Sequence, residues 1–121
     1  MPVAIIHSNN PTDYLTVSRM FQDMTELLAD AFGRPKDAVL ISLNSSQMSL
    51  GMSEEPVAYL DIRSVTQIGT EEIRTLCVHL GESITQYLQV PQDRIHFQFL
   101  AVAPQAAWSF PTDTPRHTDE P

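Results

Sequence analysis

The stretch Pro35-Lys36-Asp37-Ala38-Val39 returns, altered but in step, as Pro91-Gln92-Asp93-Arg94-Ile95. Each copy follows a run with helical periodicity and opens a run with strand character, so the chain reads as one unit used twice. Upstream of the first copy, Val17, Met20, Phe21, Met24, Leu27, Leu28, Ala31 and Phe32 fall at three- and four-residue steps, which makes one apolar stripe of a helix. Thr12 and Asp13 offer N-cap oxygens for that helix, and Gly33 with Pro35 ends it. Before it, residues 2–7 are short, apolar and bounded by Asn9, Asn10 and Pro11, the pattern of a buried strand. Past the copy, Val39, Ile41 and Leu43 alternate with smaller or polar neighbours in a second strand.

The second unit has the same order. A polar loop over residues 45–55 leads into a third strand at 56–64, rich in Val, Tyr, Leu and Ile. Thr70, Glu71 and Glu72 open a second helix, where acidic side chains suit the dipole. Ile73, Leu76, Cys77, Leu80, Ile84, Tyr87 and Leu88 form its stripe, Pro91 stops it, and a fourth strand runs from Ile95 to about Val102. Two βαβ units with right-handed crossovers predict an α+β fold, a four-stranded mixed sheet with both helices on one face. In the fourth strand Ile95, Phe97 and Phe99 then meet the helices, and His96, Gln98 and Leu100 lie on the other, open face. An open face that is half apolar calls for a cover, most simply another copy of the chain. The domain is expected to span residues 1–110. Residues 111–121, with three prolines and no periodicity, read as a disordered tail.

A chain of 121 residues makes one domain that buries a core without disulfide staples. Its seven Lys and Arg are scattered against a net charge of −8, which argues against nucleic acid and against an anionic membrane surface. An anionic small substrate needs a local cation to overcome that field. Cys77, alone, forms neither an intrachain disulfide nor a redox pair. It sits on the second helical stripe and reads as a core residue. No apolar run reaches the length of a membrane span, and the N-terminus lacks a basic region before its short apolar run. The cytoplasm is the expected location, with secretion by a route lacking a signal peptide left open. His7, His79, His96 and His117 show no metal-ligand spacing, so neither a metal nor another cofactor is expected.

Pro2 is the sharpest chemical feature. Methionine is ordinarily removed before a small residue, proline included, which leaves a secondary amine at the chain end. An α-amino group titrates near about 8. Burial and a neighbouring cation both disfavour the ammonium form, pushing the amine toward neutrality, where a general base works best. Arg34 and Lys36 are the candidate cations. Proline is also tolerated at the start of an edge strand with no chemical role.

Five segments, in order, resemble the macrophage migration inhibitory factor family of the tautomerase superfamily. Beside Met1-Pro2, Gly33-Arg34-Pro35 is similar to that family's Gly-Lys-Pro. Ser53-Glu54-Glu55-Pro56, a strand, then Ser64-Val65-Thr66-Gln67-Ile68-Gly69 resembles its Ser-Ser-Glu-Pro, strand, Ser-Ile-Gly-Lys-Ile-Gly. Pro91-Gln92-Asp93-Arg94-Ile95 resembles its Ser-Pro-Asp-Arg-Val, and Trp108 falls where many members have tryptophan. The resemblance implies a homotrimer with a pocket at each subunit interface. There the N-terminal proline moves a proton between carbon and oxygen of an α-keto acid or its enol, phenylpyruvate and D-dopachrome being the family's test substrates.

Carried over by position, Pro2 is the catalytic base and Arg34 holds the substrate carboxylate in place of a lysine, its planar fork matching a carboxylate. Val65 replaces a pocket isoleucine. His96 replaces a tyrosine and Gln98 an asparagine, both reaching in from the neighbouring subunit, with Trp108 at the wall. His96 puts the aromatic-substrate preference in doubt. The Cys-x-x-Cys of the vertebrate cytokine corresponds to Val57 to Leu60 here, which excludes a thiol–disulfide activity. A decarboxylase or hydratase on the same proline scaffold, and a non-catalytic cytokine-like trimer, are the rival readings.

Overall fold

The computed structural model describes residues 1–109; the expected tail at 111–121 and His117 lie outside them. Strand β1 (Val3–Ser8) leads through Asp13 into helix α1 (Tyr14–Phe32). Asp13 is the N-cap, its carboxylate accepting from the Thr16 amide at 2.8 Å, and of the two candidate caps it is the one used. Gly33 closes the helix in the left-handed region, φ 63°. The Arg34 amide reaches back to the Ala29 carbonyl at 3.0 Å and Gly33 N–H to Asp30 at 3.3 Å, so two carbonyls of the last turn are satisfied by the cap. β2 (Leu40–Ser45), β3 (Ala58–Ser64), α2 (Thr70–Leu88) and β4 (Ile95–Ala101) follow.

The repeated pentapeptide has the same shape in both places. Lys36–Ala38 and Gln92–Arg94 are single 3₁₀ turns behind a proline, closed by Ala38 N–H to Pro35 C=O at 3.0 Å and Arg94 N–H to Pro91 C=O at 2.9 Å. Proline fixes the entry angle, and the turn aims the chain back into the sheet. α2 ends earlier than Pro91 implies: Gln89, at φ 57° and ψ 41°, is its left-handed cap, with its amide on the Thr85 carbonyl.

The sheet order is β2-β1-β3-β4. β1 runs parallel to β2, β3 parallel to β4, and the two halves join antiparallel between β1 and β3. Each parallel pair is bridged by its helix, and both helices pack on one face, as the repeat predicts. Alternation sends Ala4, Ile6, Leu60, Ile62 and Ile95 into a core closed by Met20, Met24, Leu28 and Phe32 from α1 and Leu76, Leu80, Ile84 and Leu88 from α2. Tyr87 donates its hydroxyl to Asp23, linking the helices at the surface. Cys77 is half-buried at the margin of α2, outside the core cluster, and burial pushes its thiol pKa up.

The opposite face carries three rows set by register: Leu40-Val3-Arg63-Leu100, Ser42-Ile5-Asp61-Gln98 and Asn44-His7-Tyr59-His96. One row is mostly apolar and one wholly polar. Among the described residues no helix is long and apolar enough to cross a membrane.

Candidate active site

The starts of β1 and β2, the ends of β3 and β4 and the C-terminus of α1 all lie at one end of the sheet, because each crossover helix runs antiparallel to its strands. Pro2 sits at that end. Its carbonyl accepts from Leu40 N–H at 3.0 Å, which pins the start of β1 to β2. Its ring is fully buried. One register step beyond the Val3–Arg63 pair brings Pro2 beside Ser64, with Val65 next in the chain and half-buried.

Arg34 comes to the same end by a local device. The left-handed Gly33 cap reverses the chain after Phe32 and projects Arg34, half-buried, from the helix terminus. Lys36 is turned elsewhere: its ammonium pairs with Glu26 at 3.3 Å, both side chains about two-thirds exposed. Of the two candidate cations, Lys36 is thus engaged by a carboxylate of α1, and Arg34 follows directly on the helix cap at the sheet end that holds Pro2.

His96 and Gln98 are not brought to Pro2 within one chain. Both are exposed on the open face of β4. His96 is four residues from Leu100, the residue in the row of Val3, a separation of about 13 Å along a strand. Trp108 is about half exposed, its indole N–H donating to the Gln105 carbonyl at 2.7 Å.

Two features escape the sequence. An apolar cleft of about 180 Å³ opens at the Pro2 end, between β3, β4 and the start of α2, with Phe32, Ile68, Ile73 and Phe99 in its walls and Ser64 and Thr66 among its polar groups. These residues come from five segments, so no local pattern announces them. The second is a polar layout on the open face. Arg63 holds both carboxylate oxygens of Asp61, at 3.1 and 3.0 Å. The pairing raises the pKa of the guanidinium through the hydrogen bond and the charge of Asp61. Tyr59, beside it, donates to Gln98 Oε1 at 2.9 Å. No group of three or more His, Cys, Asp or Glu among the described residues is placed to hold a metal.

A family model described as "Macrophage migration inhibitory factor (MIF)" matches residues 1–111. The chain is 28% identical over 100 residues to the macrophage migration inhibitory factor of Xenopus tropicalis, across 82% of this chain and 86% of the relative. The fold is that of the macrophage migration inhibitory factor of Toxoplasma gondii, with a TM-score of 0.86 at 23% identity over 93% of this chain and 98% of that one. A structure described as "F6 fused 4-OT wild type asymmetric trimer" aligns with a TM-score of 0.79 at 17% identity, covering 94% of this chain and 96% of that one.

Proposed function

The chain belongs to the macrophage migration inhibitory factor family, and from that premise we propose that it is a keto–enol tautomerase that uses Pro2 as its general acid–base. The family includes tautomerase-active members, and the reading is supported above all by one observation. The ring of Pro2 is fully buried at the sheet end where α1 terminates and Arg34 follows its cap.

The proposed cycle begins once Met1 is removed, since an amide nitrogen accepts no proton. The buried surroundings and a nearby guanidinium favour the neutral amine. Pro2 takes a proton from the carbon next to the ketone, and the C–H electron pair moves into a C=C bond as the carbonyl oxygen becomes an enol or enolate. The protonated amine then delivers that proton to the enolate oxygen, giving the enol and restoring the neutral amine. In ketonisation Pro2 takes the enol O–H proton and delivers it to carbon. Arg34 holds the carboxylate and stabilises the developing charge, and Val65 forms part of the wall. His96 and Gln98 of a second copy complete the pocket in a homotrimer, with Trp108 at its rim. The trimeric relative and the open sheet face both favour that assembly.

The test is ketonisation of enol-phenylpyruvate by protein whose intact mass shows loss of Met1, run beside Pro2→Gly. The variant is expected to fall at least about a hundredfold, the loss of a general acid–base. Silence of both proteins overturns the reading in favour of the decarboxylase or binding-protein alternatives.

A further inference from the structure

The Tyr59 hydroxyl donates to Gln98 Oε1 across the β3–β4 pair at 2.9 Å. Tyr59 is itself held. Its ring stacks on His7, with centroids 5.7 Å apart and planes 14° from parallel, and it lies in register with His96 on its other side. The bond has a chemical consequence, because a carboxamide has one accepting end and one donating end. With Oε1 engaged by the phenol, Gln98 presents its NH2 group to the open face. Its register partner Asp61 turns both its oxygens to Arg63, and the Gln98 side chain bonds instead to Tyr59. Two residues earlier on the same face, the exposed His96 adds an imidazole N–H.

We infer that Tyr59 is a positioning residue that fixes Gln98 donor-outward, and that the substrate is a 2-oxo acid bearing a second carboxylate. The inference rests on the tautomerase reading, in which β4 of one copy faces Pro2 of the next. Arg34 then takes the carboxylate beside the ketone, and the Gln98 amide and His96 imidazole take the distal one. A distal phenyl ring would cover both donors and leave them without acceptors, which a pocket built for hydrogen bonding penalises. The chain's net charge of −8 opposes a dianion at long range but is screened by salt, so contact donors decide the preference.

The test compares kcat/KM for the enol of oxaloacetate, a four-carbon 2-oxo dicarboxylate, with that for the enol of phenylpyruvate. The unaltered protein is expected to favour the dicarboxylate about tenfold or more, the size of one charge-assisted hydrogen bond. Tyr59→Phe releases the amide and is expected to lower that ratio about tenfold, mainly through KM. Gln98→Glu, which sets carboxylate against carboxylate, is expected to lower it further. A native preference for phenylpyruvate overturns the inference while leaving the tautomerase reading intact. So does a Tyr59→Phe ratio that does not move, or a variant that loses both activities alike. Silence toward both compounds overturns the tautomerase reading and this inference with it.

Discussion

Gly33 and Gln89 end the two helices in the same backbone conformation, φ 63° and ψ 38° for one and φ 57° and ψ 41° for the other. The two halves of the chain thus share a helix stop as well as the 3₁₀ turn that follows it. Glycine adopts this region freely, whereas a residue with a Cβ is strained there by about 1 kcal/mol. Gln89 is exposed, and its amide is bonded to the Thr85 carbonyl. Gln89→Gly is expected to stabilise the protein by about 0.5–1 kcal/mol, and Gly33→Ala to destabilise it by about 1 kcal/mol. Urea unfolding at one fixed protomer concentration measures both, since assembly contributes to apparent stability. A Gln89→Gly protein no more stable than its parent contradicts the argument.

Arg94 gathers three backbone carbonyls from the segment before β3: Pro56 at 2.9 Å, Ser53 at 3.1 Å and Glu55 at 3.0 Å. Asn9, just past β1, grips the same segment, donating to Glu54 and Glu55 and accepting from Val57 N–H. Arg94→Ala leaves three acceptors without their charged donor and is expected to cost about 2–3 kcal/mol. Arg94→Lys keeps the charge but loses the planar fork, so it recovers less than half of that. Chemical denaturation of the two variants side by side decides it.

Asp13 caps α1 through the Thr16 amide and hydroxyl, at 2.8 and 2.9 Å. These bonds favour the ionised carboxylate, the amide bond most, and hold its pKa below the ordinary value. A depressed folded-state value means that the stabilisation is present above the unfolded carboxylate's range and is lost as pH falls through the folded one. Asp13→Ala is therefore expected to lower the urea midpoint at pH 7, and the difference from the parent is expected to fade below about pH 4. A gap of the same size at pH 3 and pH 7 would show that the cap does not act through its charge.

Arg34 and Lys36 stand two residues apart, yet Arg34 directly follows the helix cap while Lys36 is engaged by Glu26. If Arg34 takes the carboxylate, Arg34→Ala raises KM for enol-phenylpyruvate by about ten- to a hundredfold. Lys36→Ala is expected to leave KM unchanged. Steady-state kinetics on both variants tests the assignment, and the reverse order of effects would move the cation to Lys36.

Much of the fold was legible because it is written in local periodicity. The two apolar stripes name the inward faces of α1 and α2, and alternation names Ile95, Phe97 and Phe99 as the side of β4 that meets the helices. Repetition of the Pro-x-Asp turn set the two halves in parallel, and the handedness of crossovers placed both helices on one face. Local chemistry also gave the Asp13 cap and the Gly33 stop. Gln89 was not legible as a stop, since nothing in a glutamine announces positive φ. The strain there is tolerated because the packing of Leu88 and Val90 on either side holds the chain in place.

The sequence by itself determined the elements, their inward faces and the doubled architecture. Each of these depends on residues close together in the chain, where spacing translates directly into geometry. Tertiary structure alone decided which side chains meet across strands. Tyr59 and Gln98 are 39 residues apart and Arg94 and Pro56 are 38 apart, and no pattern along the chain encodes such pairs until register is set. Register follows from burying one face of every strand at once, because a slip of one residue would turn the whole apolar set of a strand outward.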